Sequence, residues 1–379
     1  MTNSSQKTLD LRTLPTSQEV MAYRDGGLFP VLTATESGTL IAAVRGGAGH
    51  LGLAGRMEVI RSLDQGKSWS PPAVVADSER DDRNPALGVS NQGTVILAYQ
   101  GQGNYDAEGN YAENEGTDPR TVETLFTRSH DDGVSWERPV PLAVPDLTSA
   151  SPFGKIVSQA DGTLLLAVYN ADSWLVRSHD DGQSWGEPSL IGKGMSETAL
   201  HVLPNGELLA VMRGTGNGDP LFTTHSSNGG YNWSQPLQIT QSRQHPADLL
   251  QLSNGDLLLT YGNRNPPYRI EGKISRDGGH SWLAPLLLFS GQLYGYTVDA
   301  PRPNDLGYPS SALVNGQGVT IYYYNPAMLP IIRTGHQIEK TKNPALYEVQ
   351  HYQAIVLLWK EEALIAKISD LLGETEKGS

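Results

Sequence analysis

Residues Ser129–Trp136 read SHDDGVSW, and the pattern Ser-x-Asp-x-Gly-x-x-Trp occurs five times in the chain. The copies begin at Ser62, Ser129, Ser178, Ser226 and Ser275, and from Ser129 onward their starts lie 49, 48 and 49 residues apart. The fourth copy has Asn228 in place of the aspartate. An aspartate or asparagine accepts hydrogen bonds from nearby backbone N–H groups, and the glycine adopts a conformation closed to other residues. Each copy is therefore predicted to be a tight turn that recurs once per structural unit.

A second repeat has six copies and marks β-hairpins. In each copy a glycine that closes a turn precedes an apolar run rich in β-forming residues. These glycines are Gly38, Gly93, Gly162, Gly206, Gly255 and Gly316. Upstream of each glycine an extended strand is expected to begin, usually at an X-Pro pair such as Phe29-Pro30 or Tyr308-Pro309. Because proline restricts the residue before it, that residue is expected to be extended.

Six hairpins, five of them followed by the Asp-type turn, predict an all-β fold. The predicted architecture is a six-bladed β-propeller with four-stranded antiparallel blades. It forms a single domain over residues 1–379, because one blade cannot bury both of its faces alone. The blades are expected over roughly residues 20–360, with His351–Lys360 as the closing strand. Residues 1–19 are an N-terminal segment, and residues 361–379 are expected to form a short helix or a frayed tail.

Composition narrows the functional classes. The 379 residues include 28 Lys and Arg against 41 Asp and Glu, a net charge of −13, which disfavours nucleic acid as a partner. The chain has no cysteine, so disulfides, thiolate catalysis and cysteine-bound metals are excluded. No histidine or acidic cluster has the spacing of a metal site, so neither a metal nor another cofactor is predicted.

The sequence also bears on location. No stretch is apolar enough to span a membrane, so no membrane partner is predicted. The residues that follow Met1 lack the charged and apolar regions of a signal peptide. This predicts a soluble protein, either cytoplasmic or secreted with its signal removed. The sequence does not determine whether the protein forms an oligomer.

The hairpins bring polar side chains to one end of the predicted propeller. Every first strand starts at this end, and every second strand returns to it. The first strands start at Phe29, Asn84, Ser151, Glu197, His245 and Tyr308. Three of the second strands end at an arginine, namely Arg45, Arg213 and Arg264. Three converging arginines in an acidic protein predict an electropositive pocket for a carboxylate or a similar anion.

The five turns resemble the Asp boxes, or bacterial neuraminidase repeats, of the sialidase superfamily, and they cover Ser62–Trp282. In this family three arginines hold the substrate carboxylate, a tyrosine activated by a glutamate is the nucleophile, and an aspartic acid protonates the leaving group. The segment SETALHVLPNGELLAVMR resembles the family's glutamate and second arginine, which implies these roles for Glu197 and Arg213. By the same resemblance, LLLTYGNR implies that Arg264 is the third arginine, and DLGYPSSALVNGQG implies that Tyr308 is the nucleophile.

The chain departs from this family in the first hairpin unit. Leu28-Phe29-Pro30 stands where the family has an Arg-Ile-Pro start, so Arg24 or Arg45 is expected to supply the missing charge. The loop that should carry the acid, residues 45–56, contains no aspartate or glutamate but does contain His50. Because histidine titrates near neutral pH, His50 is the predicted general acid.

Three further residues at strand starts are candidates for contact with the substrate. Asp82 and Arg83 belong to a charged cluster that opens the second hairpin, where they either serve the site or form a solvated pair. His245 opens the fifth hairpin.

The function that fits these features is an exo-glycosidase that removes a terminal acidic sugar, sialic acid or a related carboxylated sugar, from a glycan. A uronate polysaccharide lyase is one alternative, and a glycosidase that uses two carboxylates such as Glu197 and Asp248 is another. A third is a glycan-binding propeller without turnover. The Gly-rich segment 101–119 is expected to narrow the opening and so to enforce exo action.

Overall fold

The structure is built almost entirely of β-strands. The computed structural model describes residues 7–105, 111, 122–144, 147, 149–216, 218–293, 306–325, 333–334, 337–338 and 352–373. Within these residues there are 27 strands, one 3-10 helix (Leu11–Thr13) and one α-helix, α1 (Glu361–Leu372). The strands are β1 (Thr8–Asp10), β2 (Gln18–Arg24), β3 (Leu28–Ala34), β4 (Leu40–Gly46), β5 (Arg56–Ser62), β6 (Ala73–Ala76), β7 (Asp81–Val89), β8 (Val95–Gln102), β9 (Val122–Ser129), β10 (Val140–Pro141), β11 (Ser151–Ser158), β12 (Leu164–Tyr169), β13 (Ser173–Ser178), β14 (Gly186–Gly192), β15 (Met195–Val202), β16 (Leu208–Gly214), β17 (Leu221–Ser226), β18 (Leu237–Gln238), β19 (Gln244–Gln251), β20 (Leu257–Asn263), β21 (Arg269–Ser275), β22 (Leu283–Leu288), β23 (Leu306–Val314), β24 (Gln317–Tyr324), β25 (Arg333–Thr334), β26 (Gln337–Ile338) and β27 (Gln353–Lys360).

Six hairpins organise the fold, as the second sequence repeat predicted. They pair β3 with β4, β7 with β8, β11 with β12, β15 with β16, β19 with β20 and β23 with β24. The glycine of each hairpin turn has a φ between +71° and +90°. This left-handed conformation strains any residue with a side chain, so the turn itself requires the repeated glycine.

The Asp-type turns follow the third strand of five hairpin units, and their serines are the last residues of β5, β9, β13, β17 and β21. In the first copy the hydroxyl of Ser62 donates to Asp64 over 2.8 Å and accepts from the N–H of Gly66. Asp64 in turn accepts from the N–H of Ser68 over 2.9 Å. Asn228 can replace the aspartate in the fourth copy, because its amide oxygen accepts the equivalent backbone bond over 2.9 Å.

The prediction of a six-bladed β-propeller with four-stranded antiparallel blades is wrong. The described strands form a propeller-like arrangement of four separate blade-like sheets together with one continuous eight-stranded sheet. The blade-like sheets have the strand orders β3-β4-β5-β6, β15-β16-β17-β18, β2-β27-β24-β23 and β1-β22-β21-β20-β19. The eight-stranded sheet has the order β10-β9-β8-β7-β11-β12-β13-β14, and β25 and β26 form a separate two-stranded ribbon.

A parallel pairing of two inner strands merges the second and third hairpin units into the eight-stranded sheet. Lys155 of β11 lies opposite Leu87 of β7 in this pairing. The strands approach closely at Gly88, where a Cβ atom would lie 2.1 Å from the carbonyl oxygen of Ile156. In another sheet β1 adds a parallel fifth strand beside β22. The sequence repeat specifies hairpins, but it does not encode whether neighbouring units share hydrogen bonds.

Both ends of the described chain join the sheets. Near the N-terminus, strand β2 pairs with β27, which pairs with β24. The predicted closing strand is observed as Gln353–Lys360, and His351 lies outside the described residues. Helix α1 follows at once, and its Leu364 and Ile368 share a buried cluster with Trp359. In the described part of the chain, no helix has the length and apolarity needed to span a membrane. The single domain over residues 1–379 stays a prediction.

Strand register separates the turns from the strand starts. In the first unit Leu28 lies opposite Arg45, and Leu40 lies opposite Ser62. The hairpin glycine and the Asp-type turn therefore occupy one end of the unit, and the start of the inner strand occupies the other. Side chains from different units meet at this second end, which holds the candidate site.

Candidate active site

Three residues at the strand starts adopt an unusual backbone conformation. Phe29, Asn84 and Tyr308 each precede a proline, and their φ angles are +53°, +50° and +47°. The pairing register shifts beside each of them, as in a β-bulge. The expectation that proline keeps these residues extended is therefore wrong at these positions. A bulge re-aims a side chain out of the ladder, and strained backbone of this kind is concentrated at functional sites.

The centre of the site is a chain of three polar side chains. The hydroxyl of Tyr308 donates to Oε1 of Glu197, and Arg213 donates to Oε2 of the same carboxylate over 2.8 Å. Glu197 is buried, with 3% of its surface exposed. Burial and the charge of Glu197 raise the pKa of Tyr308 well above its usual value, against the opposing effect of Arg264. The phenol is therefore protonated at neutral pH, with its proton directed at the carboxylate.

Arg213 also binds a second carboxylate. Another of its nitrogens donates to Oδ2 of Asp219 over 2.7 Å. Burial alone would lower the pKa of Arg213, but the charge of Glu197 and the bond to Asp219 contribute to a net rise. His245 lies beside this pair, with Nε2 4.0 Å from Oδ2 of Asp219. Burial, aided by the charges of Arg264 and Arg213, lowers the pKa of His245, so its ring is neutral.

Arg264 lies near the ring of Tyr308 and has spare hydrogen-bonding capacity. Its guanidinium carbon is 5.8 Å from the centre of the Tyr308 ring, and its Nε donates to the carbonyl of Leu306. One terminal nitrogen is buried without a hydrogen-bond partner, and Arg264 makes no ion pair with any described residue. A cation with a buried and unmatched donor is suited to binding an anionic ligand.

Aromatic rings fill the side of the site that the first unit provides. The ring centre of Phe29 lies 4.9 Å from that of Tyr308, 5.4 Å from that of Tyr323 and 5.1 Å from that of His50. His50 thus packs edge-on against a ring that also contacts Tyr308. The guanidinium carbon of Arg83 lies 5.6 Å from the same Phe29 ring centre. The structure therefore brings His50 and Arg83 to the surroundings of Tyr308.

Arg45, in contrast, is committed to internal contacts. It is fully buried, and it donates to Asp81 and to the carbonyls of Gly49, Gly52 and Asp82. These bonds fix the loop of residues 46–56 onto the start of β7. The structure does not bring Arg45 to the pocket, so the expectation that it supplies the missing arginine charge has no geometric support.

Asp82 and Arg24 also lie apart from the central pair. The carboxylate of Asp82 accepts from the N–H and the hydroxyl of Ser78, each over 2.8 Å. Burial raises the pKa of Asp82, and the bonds from Ser78 oppose that rise. Arg24 is exposed at the end of β2, the outermost strand of its sheet. The structure brings neither residue to Tyr308 and Glu197.

Two residues near the centre escaped the sequence patterns. Tyr169 ends β12, and its hydroxyl accepts from Nδ2 of Asn84 over 3.3 Å. Burial and the charge of Glu197 raise the pKa of Tyr169 to about 12. The one sequence feature that could have identified Tyr169 is its place as an aromatic residue at the end of a second strand, one position before a polar turn. Asp219 lies in the loop after β16, where no motif marks it.

The predicted cap over the opening lies mostly outside the described residues. Of the segment 101–119, the structure describes residues 101–105 and 111. Tyr105 donates to Asp81 over 2.5 Å and accepts from the N–H of Gly52 over 2.8 Å. The start of the segment is thereby tied to the loop of residues 46–56, and the exo action expected from it stays a prediction.

The site carries groups for nucleophilic chemistry and for anion binding. Tyr308 and Glu197 share one hydrogen bond along which a proton can move. Arg213 binds the carboxylate of this pair, Arg264 lies 5.8 Å from the ring of Tyr308, and Arg83 lies 5.6 Å from the neighbouring Phe29 ring. Within the described residues, no group of three or more His, Cys, Asp or Glu side chains is arranged to hold a metal ion. The described site presents a tyrosine, a carboxylate and several guanidinium groups close together.

A family model described as a BNR repeat-like domain matches residues 38–321. The chain belongs to this family. The matched range includes every Asp-type turn from Ser62 to Trp282, so the resemblance read from these turns is confirmed. No curated protein matched this BNR repeat-like protein by sequence.

Solved structures share the fold of the BNR repeat-like protein at low sequence identity. A protein of unknown function from Dyadobacter fermentans has a TM-score of 0.69 and 21% identity, over 92% of this chain and 100% of that one. A Hadza microbial sialidase has a TM-score of 0.63 and 20% identity, over 89% of this chain and 66% of that one. Trypanosoma rangeli sialidase has a TM-score of 0.65 and 14% identity, over 95% of this chain and 62% of that one. The chain thus spans less than two thirds of either sialidase, and the likeness shows the shared fold.

Proposed function

We propose that this BNR repeat-like protein is a sialidase-like exo-glycosidase that removes a terminal acidic sugar, such as sialic acid, from a glycan. The observation that carries the proposal is the hydrogen bond from Tyr308 to Glu197, with Arg213 bound to the other oxygen of that carboxylate. A structure of similar fold, Trypanosoma rangeli sialidase with 2,3-difluorosialic acid, is described as a covalent intermediate, which supports a nucleophilic mechanism here.

Tyr308 is the nucleophile and Glu197 its base in the proposed reaction. Because burial and Glu197 raise the pKa of the phenol, it does not ionise alone at neutral pH. Its proton passes to Glu197 while its oxygen forms a bond to the anomeric carbon. The bond from that carbon to the leaving oxygen breaks, and the leaving oxygen takes a proton from His50.

A second displacement completes the proposed cycle. Water attacks the anomeric carbon and gives up a proton to His50, and the bond to Tyr308 breaks. Glu197 returns its proton to the departing phenol oxygen, which restores the starting state. Two successive displacements at one carbon give a product that retains the anomeric configuration.

Arg213 and Arg264 hold the substrate carboxylate in this proposal. Arg264 is the better placed of the two for a new ion pair, because one of its buried nitrogens has no partner and no described carboxylate pairs with it. Arg213 already binds Glu197 and Asp219, so it contributes its remaining donors and its charge. A charge-assisted bond to a carboxylate is about twice as strong as a neutral one.

A mechanism with Glu197 and Asp248 as two catalytic carboxylates has less support. Asp248 is buried, and both of its oxygens are engaged by Lys155, at 2.8 Å for Oδ1 and 3.0 Å for Oδ2. Its Oδ2 also accepts from the N–H of Ser311 over 2.9 Å. Because these contacts occupy both carboxylate oxygens, they favour a structural role for Asp248 over a catalytic one.

Release of the fluorophore from a fluorogenic sialoside tests the proposal. The wild type is expected to turn over, and Tyr308→Phe to lower kcat by at least about 100-fold, because the nucleophilic oxygen is gone. The matched control is Tyr231→Phe. The hydroxyl of Tyr231 also donates to a glutamate, Glu187, over 2.7 Å, but it lies at an Asp-type turn. This control should keep wild-type turnover.

Two outcomes would contradict the proposal. Full turnover by Tyr308→Phe would show that Tyr308 is not the nucleophile. A wild type that never turns over sialosides would reject sialidase activity. Assays on uronate glycans would then separate the alternatives, because a lyase product absorbs in the ultraviolet, a hydrolase yields only new reducing ends, and a binding protein yields neither.

A further inference from the structure

A pocket lies at the end of the fourth hairpin unit that carries the Asp-type turn, where this unit meets the fifth. Its volume is about 410 Å³, within the usual range for small-molecule sites, and two histidine rings line it. His225 belongs to β17, and His280 belongs to the Asp-type turn of the fifth unit. Leu208 lies opposite Ser226 at this end of the unit, whereas Met195 pairs at the other. The pocket is therefore separate from the candidate active site, which lies at the strand starts.

The two imidazole rings stack face to face. Their centres are 4.0 Å apart, and their planes differ by 14°. Nε2 of His225 donates to the carbonyl of Gly278 over 3.0 Å, which ties the fourth unit to the fifth. The lone pairs of imidazole nitrogens lie in the ring planes, so two parallel rings do not converge on one metal ion. Because His225 is buried and His280 is exposed, the stack presents a flat ring to the solvent.

Side chains of the second unit fill the equivalent position there. Arg128 precedes the serine of the turn, as His225 does in the fourth unit, and His130 follows that serine. Both contact the carboxylate of Glu137, at 3.0 Å from Nε of Arg128 and 3.1 Å from Nε2 of His130. These contacts leave the three side chains packed together beside the turn.

The third unit is filled in a similar way. The guanidinium carbon of Arg177 lies 4.1 Å from the ring centre of Tyr231, whose hydroxyl donates to Glu187 over 2.7 Å. Nε2 of His179 lies 3.3 Å from Oε1 of the same carboxylate. An arginine, a histidine and a glutamate thus close the surface next to the turn in both units.

The fourth unit has small residues at two of these three positions. Ser227 stands where the other two units have the histidine, and Ser234 stands where the second unit has Glu137. The third position holds His225, whose imidazole is shorter than an arginine side chain. The pocket therefore exists because the side chains that close the neighbouring units are missing here.

Polar groups with spare hydrogen-bonding capacity lie around the imidazole pair. The side chains of Glu207, Ser227 and Asn232 line the pocket, and none of them hydrogen-bonds to another described residue. They offer a carboxylate, a hydroxyl and an amide, which together can accept and donate. The carboxylate and the net charge of −13 disfavour an anionic ligand. A sugar ring fits this set, because its hydroxyls both donate and accept while its C–H face packs on a flat ring.

We propose that this pocket binds a neutral sugar residue of a glycan, at a second site remote from Tyr308. The sugar packs on the ring of His280, which His225 holds in place by stacking, and its hydroxyls bond to the polar side chains around the pair. The assignment does not depend on the proposed function, because a glycan can be held here whether or not Tyr308 reacts.

Titration of the full chain with methyl glycosides, followed by the NMR signals of its histidine rings, tests the proposal. The probes are the methyl β-D-galactoside, methyl β-D-glucoside, methyl α-D-mannoside and methyl N-acetyl-β-D-glucosaminide. The chain has nine histidines, few enough for separate signals in a sample with labelled histidine. At least one probe should shift the signals of His225 and His280 saturably, with a Kd on the order of 1 to 10 mM for a ligand of this size. In the same spectra His50 and His245 report on the candidate active site.

Two variants and a control locate the binding. His280→Ala should weaken it at least about 10-fold, read from the signal of His225, because the stacking surface is lost. The double variant Ser227→His with Ser234→Glu restores the side chains that close the second unit, and it should abolish binding. The control His179→Ala removes a histidine at the same end of the molecule, beside Glu187, and should bind as the wild type.

The outcomes separate this proposal from the proposed function. A probe that shifts only His50 and His245 binds at the other site and overturns the proposal, as does a panel that shifts no histidine signal. A double variant that binds as the wild type overturns it too. Saturable shifts at His225 and His280 without sialoside turnover keep this proposal and defeat the proposed function, and turnover without these shifts does the reverse. If circular dichroism shows that His280→Ala does not fold, the double variant carries the comparison.

Discussion

Tyr308 combines a strained backbone with a buried side chain that donates a proton. Its φ of +47° costs a residue other than glycine about 1–3 kcal/mol, a cost that persists only where surrounding contacts fix the conformation. Glu197 accepts the phenol proton, and Arg213 holds the other oxygen of that carboxylate. The pair is therefore oriented before any ligand arrives, which is the condition under which positioning lowers a reaction barrier.

His201 allows a test of electrostatics at the scale of one residue. Burial lowers its pKa to about 4, and the nearby charge of Lys155 lowers it further, whereas the neighbouring Gln251 opposes the fall. An unfolded histidine titrates near 6.5, so below that pH the unfolded chain binds a proton that the folded protein does not. The free energy of unfolding should therefore fall as the pH drops from 6.5 towards 4, by up to about 1.4 kcal/mol per pH unit from this residue.

The variant His201→Gln lacks this titration. Urea denaturation near neutral pH and again in the acid range should therefore show a smaller loss of stability on acidification than in the wild type. Equal losses in the two proteins would mean that His201 takes up its proton in the folded state as readily as in the unfolded one.

At this scale the sequence predicts which residues lie at strand starts, and the family resemblance implies their roles. It placed Glu197 and Tyr308 at strand starts, and the structure joins them by a hydrogen bond. Spacing cannot distinguish a side chain that faces a ligand from one that lies beneath a loop, and Arg45 is of the second kind. Nor can it mark Asp219, which reaches Arg213 from an irregular loop. The relation of Arg83 to Phe29 depends on the packing of two units, which neither unit's sequence specifies.

Among the elements, the hairpin is the part of the fold that its own sequence encodes. A left-handed glycine and an apolar run are local features, so each of the six hairpins could be predicted from its own residues. The pairing of β7 with β11 is not local, because it depends on two inner strands approaching at Gly88 and Ile156. The sequence repeat does not show this contact, so separate four-stranded blades were expected. The contact joins two units, and an eight-stranded sheet is found.

Gly88→Ala tests this close approach. A Cβ atom at residue 88 would lie 2.1 Å from the carbonyl oxygen of Ile156, so β7 and β11 must move apart. The expected loss in free energy of unfolding is about 1–3 kcal/mol, as for other overpacked sites. Gly186→Ala in β14 is the matched control, because a Cβ atom there meets nothing within 4 Å. Urea midpoints that fall equally in both variants would show that the parallel pairing tolerates a side chain.

Across the whole molecule, a buried ion pair links units that are distant in sequence. Lys155 of β11 contacts Asp248 of β19 at 2.8 Å and donates to the carbonyl of Ser311 in β23 over 2.7 Å. Asp248 also accepts from the N–H of Ser311. Three inner strands therefore meet at one charge pair, three residues along β23 from Tyr308. The position of the nucleophile thus depends on contacts contributed by the third and fifth units.

Lys155→Met should lower the free energy of unfolding near neutral pH by about 3–5 kcal/mol, because it leaves the carboxylate of Asp248 charged and unpaired in the interior. Burial already raises the pKa of Asp248, and Lys155 opposes that rise, so without the lysine the folded protein binds this proton at a higher pH than the unfolded chain does. The cost should therefore shrink as the pH falls from neutral towards about 4, the range of an ordinary aspartate.

Adding Asp248→Asn removes the unpaired charge and should recover much of the loss in stability, while Lys193→Met, at an exposed position, should cost little. If urea denaturation shows the single and double variants to be equally unstable at every pH, the charge pair is not what joins the three strands, and the placement of Tyr308 does not depend on it.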